Sequence, residues 1–203
     1  MGALQLVGVA ASLSLLAGWR LYAAILAVGI AMRLGLLHLP QQVHSLAVLA
    51  NPWVIGVAGL GAIAELLADK VAWLDSLWDG VHTAIRPLGG ALLALAVIDA
   101  SDPVWQVTAL LLGGGAAFAS HGAKAGARAV VNTSPEPFSN VAVSTTEDVL
   151  TTGGLWLALS QPAAAGVLAA CMLAVVIGLI ALTWRMMRNF GALFGQRVKR
   201  DAS

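Results

Sequence analysis

Asp75, Asp79, His82 and Arg86 stand at i, i+4, i+7 and i+11 within KVAWLDSLWDGVHTAIR, residues 70–86. Val71, Leu74, Leu77, Trp78, Val81 and Ile85 recur at three- and four-residue steps on another face, so the segment reads as an amphipathic helix. Such a helix has two natural placements. It can lie in the bilayer interface with Trp73 and Trp78 at headgroup level. It can instead re-enter the membrane, its polar stripe lining a hydrated cavity. Carboxylates and an imidazole on one face also suit a divalent metal. No Cys or second His sits nearby at a ligand spacing, so neither a metal nor another cofactor is expected.

Glu65 and Asp69 stand one turn apart just before Lys70. Ionisable groups inside a membrane are costly and mark function by default. Glu65 is the one expected to lie deep, either as part of a path or as a structural partner of Arg20 or Lys124. Further on, Ser144, Thr145, Thr146, Glu147, Asp148, Thr151 and Thr152 concentrate hydroxyls and carboxylates in one segment. Such hydroxyls often bond only their own backbone. Glu147 and Asp148 are harder to dismiss, because adjacent carboxylates repel in low dielectric, which suits proton coupling or cation binding. His121, Lys124 and Arg128, with small residues between them, are placed to neutralise these acids or to attract an anion. Asn132 opens the turn-rich run NTSPEPFSN. No nucleophile motif, phosphate loop or zinc signature is present, so no enzymatic activity is expected.

The elements that must position these groups are set by composition. Of 203 residues, 59% are hydrophobic and 10% charged, with a mean hydropathy of +0.86 and a net charge of +1. An ordinary soluble domain carries about 25% charged residues. Disordered chains, disulfide scaffolds and basic nucleic-acid binders are excluded. Cys171 stands alone in an apolar run and reads as a small hydrophobe. Met-Gly-Ala-Leu-Gln-Leu has no basic region, so the first apolar stretch is expected to remain as a membrane segment.

A span needs about 20 apolar residues. Residues 3–37 exceed that and are interrupted at Gly18-Trp19-Arg20, leaving one broken helix or two short ones. Residues 38–50, with His38, Pro40 and His44, read as a loop. A second span covers 51–70, opening with Asn51 as cap and Pro52 in the first turn. Residues 88–100 form a short apolar segment, a fourth span starts at Val104 and ends near Ser120, and 121–140 read as a polar loop. Residues 141–161 are mixed, and Ala163 to Trp184 is the cleanest span. Arg185, Arg188, Arg197, Lys199 and Arg200 follow it, placing the C-terminus in the cytoplasm. Counting back, Lys and Arg fall only in the inside loops, which supports six crossings with both termini inside. Two helices in 3–37 would move the N-terminus outside.

A weak internal repeat accompanies this pattern. RPLGGALLALAV at 86–97 pairs with LTTGGLWLAL at 150–159, and AIAELLADK at 62–70 with AFASHGAKA at 117–125. The chain therefore reads as one membrane domain, residues 1–203, with 50–100 and 104–161 as candidate repeats. Interrupted hydrophobic segments in paired halves point to a transporter's site, although adjacent small residues also serve close helix packing.

ELLADKVAWLDSLWDGVHTAIRPLGGALLA and VVNTSPEPFSNVAVSTTEDVL resemble the hallmark stretches of a bacterial integral-membrane family catalogued as a domain of unknown function. AGWRLYAAIL is similar to its N-terminal stretch, and together these run from about residue 17 to 160. The resemblance implies a small polytopic inner-membrane protein and carries no activity.

The expectation is an all-α, polytopic transmembrane protein of about six hydrophobic segments, with internal repeats and re-entrant or interfacial helices. Its expected partners are the lipid bilayer and a small solute or ion, not nucleic acid. The leading function is a small transporter or channel, with proton coupling as one form. The alternative is a non-transporting scaffold or assembly protein with a cytoplasmic docking surface. Glu65, Asp69, Asp75, Asp79, His82, Arg86, His121, Lys124, Asn132, Glu147 and Asp148 are the candidate path, with Arg20 as a neutralising charge. A chain this short is expected to self-associate if it is to enclose a path.

Overall fold

The computed structural model describes residues 2–35, 41–98, 103–131 and 137–201. Among these the fold is all-α, with six helices: α1 (Ala3–Arg33), α2 (Pro52–Ala68), α3 (Ala72–Val97), α4 (Pro103–Val131), α5 (Pro137–Ser160) and α6 (Pro162–Asp201). A 3₁₀ segment, Gln41–Ala50, joins α1 to α2. Among the described residues three stretches are long and apolar enough to cross a bilayer, namely Ala3–Arg33, Trp73–Val97 and Pro162–Arg188. Pro52–Ala68 is a shorter apolar helix.

The distribution of polarity is inverted relative to a water-soluble bundle. Leu60, Leu92, Leu111, Val167 and Ile177 are exposed on the outside, while Arg20, Arg86, Lys124 and Arg128 are buried. Apolar side chains gain nothing from leaving lipid, whereas charges inside hydrocarbon must find partners.

Helix α1 is the central element and touches all five other helices, while α3 and α4 form the most extensive pair. Small residues allow this close approach. A Cβ on Gly18 would meet the Ala117 carbonyl of α4, and one on Gly8 would lie 2.7 Å from the Gly166 nitrogen of α6. Serines on the buried faces tie the helices through backbone carbonyls. Ser12 Oγ donates to Ala165 O at 2.8 Å, Ser14 Oγ to Gly90 O at 3.0 Å and Ser120 Oγ to Leu15 O at 2.7 Å.

Of the two readings left open for the first apolar stretch, the structure has the single broken helix, with α1 interrupted at Arg20, whose φ of −143° and ψ of 78° are non-helical. Several other segments differ from the sequence reading. The 70–86 stripe and the short 88–97 segment are one continuous helix, α3, which carries Pro87 inside it. Residues 121–131 are the last turns of α4 rather than a loop. Their Lys and Arg face the bundle interior, where acids from other helices compensate them, so polarity there does not mean exposure to water. The 41–50 stretch is likewise no simple loop, because Leu46 and Leu49 are buried in the core. The Asp99 and Asp102 turn, and His38 with Pro40, lie outside the described residues. The start of α2 is as its residues dictate, with Asn51 Oδ1 accepting from Trp53 N–H at 2.9 Å and Pro52 in the first turn.

Candidate functional site: a buried ionic ladder

The break in α1 organises the polar interior. A helix interrupted at Arg20 leaves carbonyls of the preceding turn to other donors. Arg86 Nη1 donates to Gly18 O at 3.3 Å and Lys124 Nζ to Trp19 O at 3.2 Å. The C-terminal end of a half-helix carries partial negative charge and favours cations. Here two cations from α3 and α4 occupy that position.

From this point acids and bases alternate through the bundle. Asp75 and Asp69 each lie 3.2 Å from Arg128 Nη2. Asp69 also pairs with Arg20 Nη1. Arg20 Nη2 lies 3.5 Å from Glu147 Oε2, and Lys124 Nζ lies 3.5 Å from the same oxygen. Lys124 reaches Glu65 Oε1 at 4.0 Å, Glu65 takes a 2.5 Å hydrogen bond from Arg86 Nη2, and Arg86 Nη1 is 3.3 Å from Asp79 Oδ1. The order Asp75, Arg128, Asp69, Arg20, Glu147, Lys124, Glu65, Arg86, Asp79 is thus one continuous ladder. Asp148 branches from it, 3.1 Å from Arg20 Nε, and its side chain is 38% exposed. Every other rung is buried. Along α3 alone, Asp75 to Arg86 covers about 16 Å of helix axis.

Five helices supply the rungs, and local sequence explains each contribution. Asp75, Asp79, His82 and Arg86 share a face of α3, and that face is buried. Lys124 and Arg128 are one turn apart on α4, as Glu65 and Asp69 are at the end of α2. Ser144, one turn before Asp148 on α5, links the middle of the ladder. Its hydroxyl donates to Asp69 Oδ2 at 3.2 Å and accepts from Arg20 Nη2 at 3.0 Å, and Lys70 Nζ approaches it at 3.4 Å.

His82 and His121 are held in defined tautomers. Guanidinium only donates, so His121 Nδ1 accepts from Arg86 Nη1 at 2.6 Å. In the neutral ring the proton is then on Nε2, which donates to Asp79 O at 3.1 Å, with Thr83 Oγ1 3.2 Å away. His82 is the reverse. Its Nδ1–H donates to Trp78 O at 2.8 Å, and its Nε2 accepts from Tyr22 O–H at 3.1 Å. Trp78 stacks on His82 with ring centroids 4.3 Å apart, and Tyr22 meets it edge-on.

The structure therefore brings together Glu65, Asp69, Asp75, Asp79, Arg86, His121, Lys124, Glu147, Asp148 and Arg20. His82 sits beside them in the Trp78–Tyr22 pair, and Asn132 lies outside the described residues. Tyr22 and Thr83 were not singled out from sequence. Tyr22 carried no signal beyond its place two residues after Arg20. Among the described residues no group of three or more His, Cys, Asp or Glu is placed to hold a metal ion.

Fold and site together define an all-α, multi-pass membrane protein with an ion-pair ladder in its interior. The family model for a domain of unknown function, DUF4126, matches residues 7–182, and the chain belongs to that family. No curated protein and no solved structure matches it.

Proposed function

We propose that this protein is a small transporter or channel of the bacterial inner membrane that carries a small solute or ion along the ladder. One observation carries the reading: a buried column of alternating charge threads five helices at a break in the central one. Removing so many charges from water costs several kcal/mol per ion, which pairing offsets only where the geometry is good. A protein that needed only mechanical stability would do as well with apolar packing. Discontinuous helices whose half-helix ends face ions are also where secondary transporters build their sites. The basic residues in the last part of α6, from Arg185 to Arg200, support a cytoplasmic C-terminus. The reading includes no catalytic step, and its partners are the bilayer, the carried solute or ion and, where a path must be enclosed, a second copy of the chain.

A scaffold with a cytoplasmic docking surface calls for exposed, non-converging loops and no internal cavity. Convergence and burial of the ladder favour the path. Flux of protons, sodium and potassium into proteoliposomes tests the proposal. Glu147→Gln and Asp79→Asn are each expected to lower flux at least about tenfold, or about 1.4 kcal/mol. If wild-type protein moves no more of any probe than empty liposomes, transport of these ions is wrong. If both variants match the wild type, the path does not follow the ladder.

A further inference from the structure

The ladder has an odd count. Among the described residues its nine rungs hold five acids and four bases. Two charges that are not buried also touch the ladder, Asp148 at Arg20 and Lys70 at Ser144, and as one acid and one base they leave the excess at one carboxylate. An uncompensated carboxylate in a buried site is expensive, and the usual remedy is a proton.

Geometry distinguishes Glu147 from the other acids. Glu65 takes a 2.5 Å hydrogen bond from Arg86, while Asp69 and Asp75 lie 3.2 Å from Arg128. Glu147 is the central rung and has the loosest pairing, with both of its cations 3.5 Å away. Its Oε2 is buried and accepts no hydrogen bond among the described residues, a trait shared with Glu65 Oε2 and Asp79 Oδ1, so the long approach of its cations is what sets it apart. One turn further along α5, the fully buried Thr151 hydroxyl also has no partner among them. Asp148, the exposed branch, adjoins Glu147 in sequence and shares Arg20 with it.

We infer that Glu147 is a proton-binding site that divides the ladder. Protonation at Glu147 leaves two balanced groups. Asp75 and Asp69 remain with Arg128 and Arg20, and Glu65 and Asp79 remain with Lys124 and Arg86. Each cation that faces Glu147 keeps another acid, so neither is stranded. Loss of the proton rejoins the two groups through a shared carboxylate. The charged and titratable groups around this centre are Arg20 and Tyr22 on α1, Glu65 and Asp69 at the end of α2, and Asp75, Asp79, His82 and Arg86 on α3. They are completed by Lys70 between α2 and α3, by His121, Lys124 and Arg128 on α4, and by Asp148 on α5. The inference deepens the transport reading by naming the proton as the ion bound at the ladder.

Infrared difference spectra of the purified protein in lipid test it, because a carboxylic acid and a carboxylate absorb differently whether or not anything is transported. Between about pH 8 and pH 5, a carboxylic-acid band should titrate in the wild type, vanish in Glu147→Gln and persist in Glu65→Gln. Glu147→Asp, which retains the acid, should keep a titrating band at a shifted position. A band unchanged in both Glu147 variants, or no titrating band in the intact wild type, overturns the inference. A midpoint unchanged between sodium and choline buffers supports a proton. A midpoint lowered by sodium shows a competing metal cation and overturns it. A titrating Glu147 without flux would refute transport alone, and flux without the band would refute the proton site alone.

Discussion

Arg86 shows how one side chain holds this interior together. Its fork donates to Glu65 and to the Gly18 carbonyl, contacts Asp79 and fixes the His121 tautomer. Removing one member of a buried pair costs about 3–5 kcal/mol, because the partner is left charged and unpaired. Arg86→Met should therefore lower stability by about that amount in thermal unfolding in lipid or detergent. Arg86→Lys should recover only part of the loss, since an ammonium keeps the charge without the bidentate fork. A melting curve for Arg86→Met that overlays the wild type would show that the ladder adds nothing to stability. The sequence already placed Arg86 on one face with Asp75, Asp79 and His82. It could not show whether that face met water, headgroups or protein, because an i, i+4, i+7 pattern marks a face and not its surroundings.

At the scale of elements, the bend in α1 and the closeness of α1 to α4 are coupled. The Gly18 Cα packs against the Ala117 carbonyl and lies near Ser120, so an added Cβ would sit 2.8 Å from Ser120 Cβ and closer still to the carbonyl. Backbone cannot yield cheaply. Gly18→Ala should cost about 1–3 kcal/mol and should disturb the contacts of Arg86 and Lys124 with α1. Gly80 on α3 has open space around it. Gly80→Ala should stabilise by about 0.5–1 kcal/mol, the helical cost of glycine. Thermal unfolding of the two variants side by side checks both signs. The interruption at Gly18-Trp19-Arg20 was legible in sequence as a break in an apolar run. The continuity of α3 through Pro87, and of α4 through its basic end, was not. Proline and charge are local signals of helix ends in water. Here packing partners on the neighbouring helices override them.

For the whole molecule, burial predicts an unusual insensitivity to salt. Exposed ion pairs weaken as the Debye length falls from about 30 Å at 0.01 M to about 3 Å at 1 M. Eight ion-pair contacts of the ladder join side chains that are all at most 11% exposed. The unfolding temperature in lipid should change by less than about 2 °C across that range. A fall of several degrees would mean that solvent reaches the ladder freely.

Composition, hydropathy and helical periodicity by themselves determined an all-α membrane protein, the polar face of α3, the start of α2 and the residue types at work. These are properties of short stretches and of solvent preference, and they require no partner. The pairing of Arg20 with Asp69, of Arg128 with Asp75 and of Arg86 with Glu65 was decided only by tertiary structure. So were the tautomers of His82 and His121 and the central position of Glu147. Each depends on which helix faces which and at what height, and a buried charge is defined by its neighbours rather than by its place in the chain.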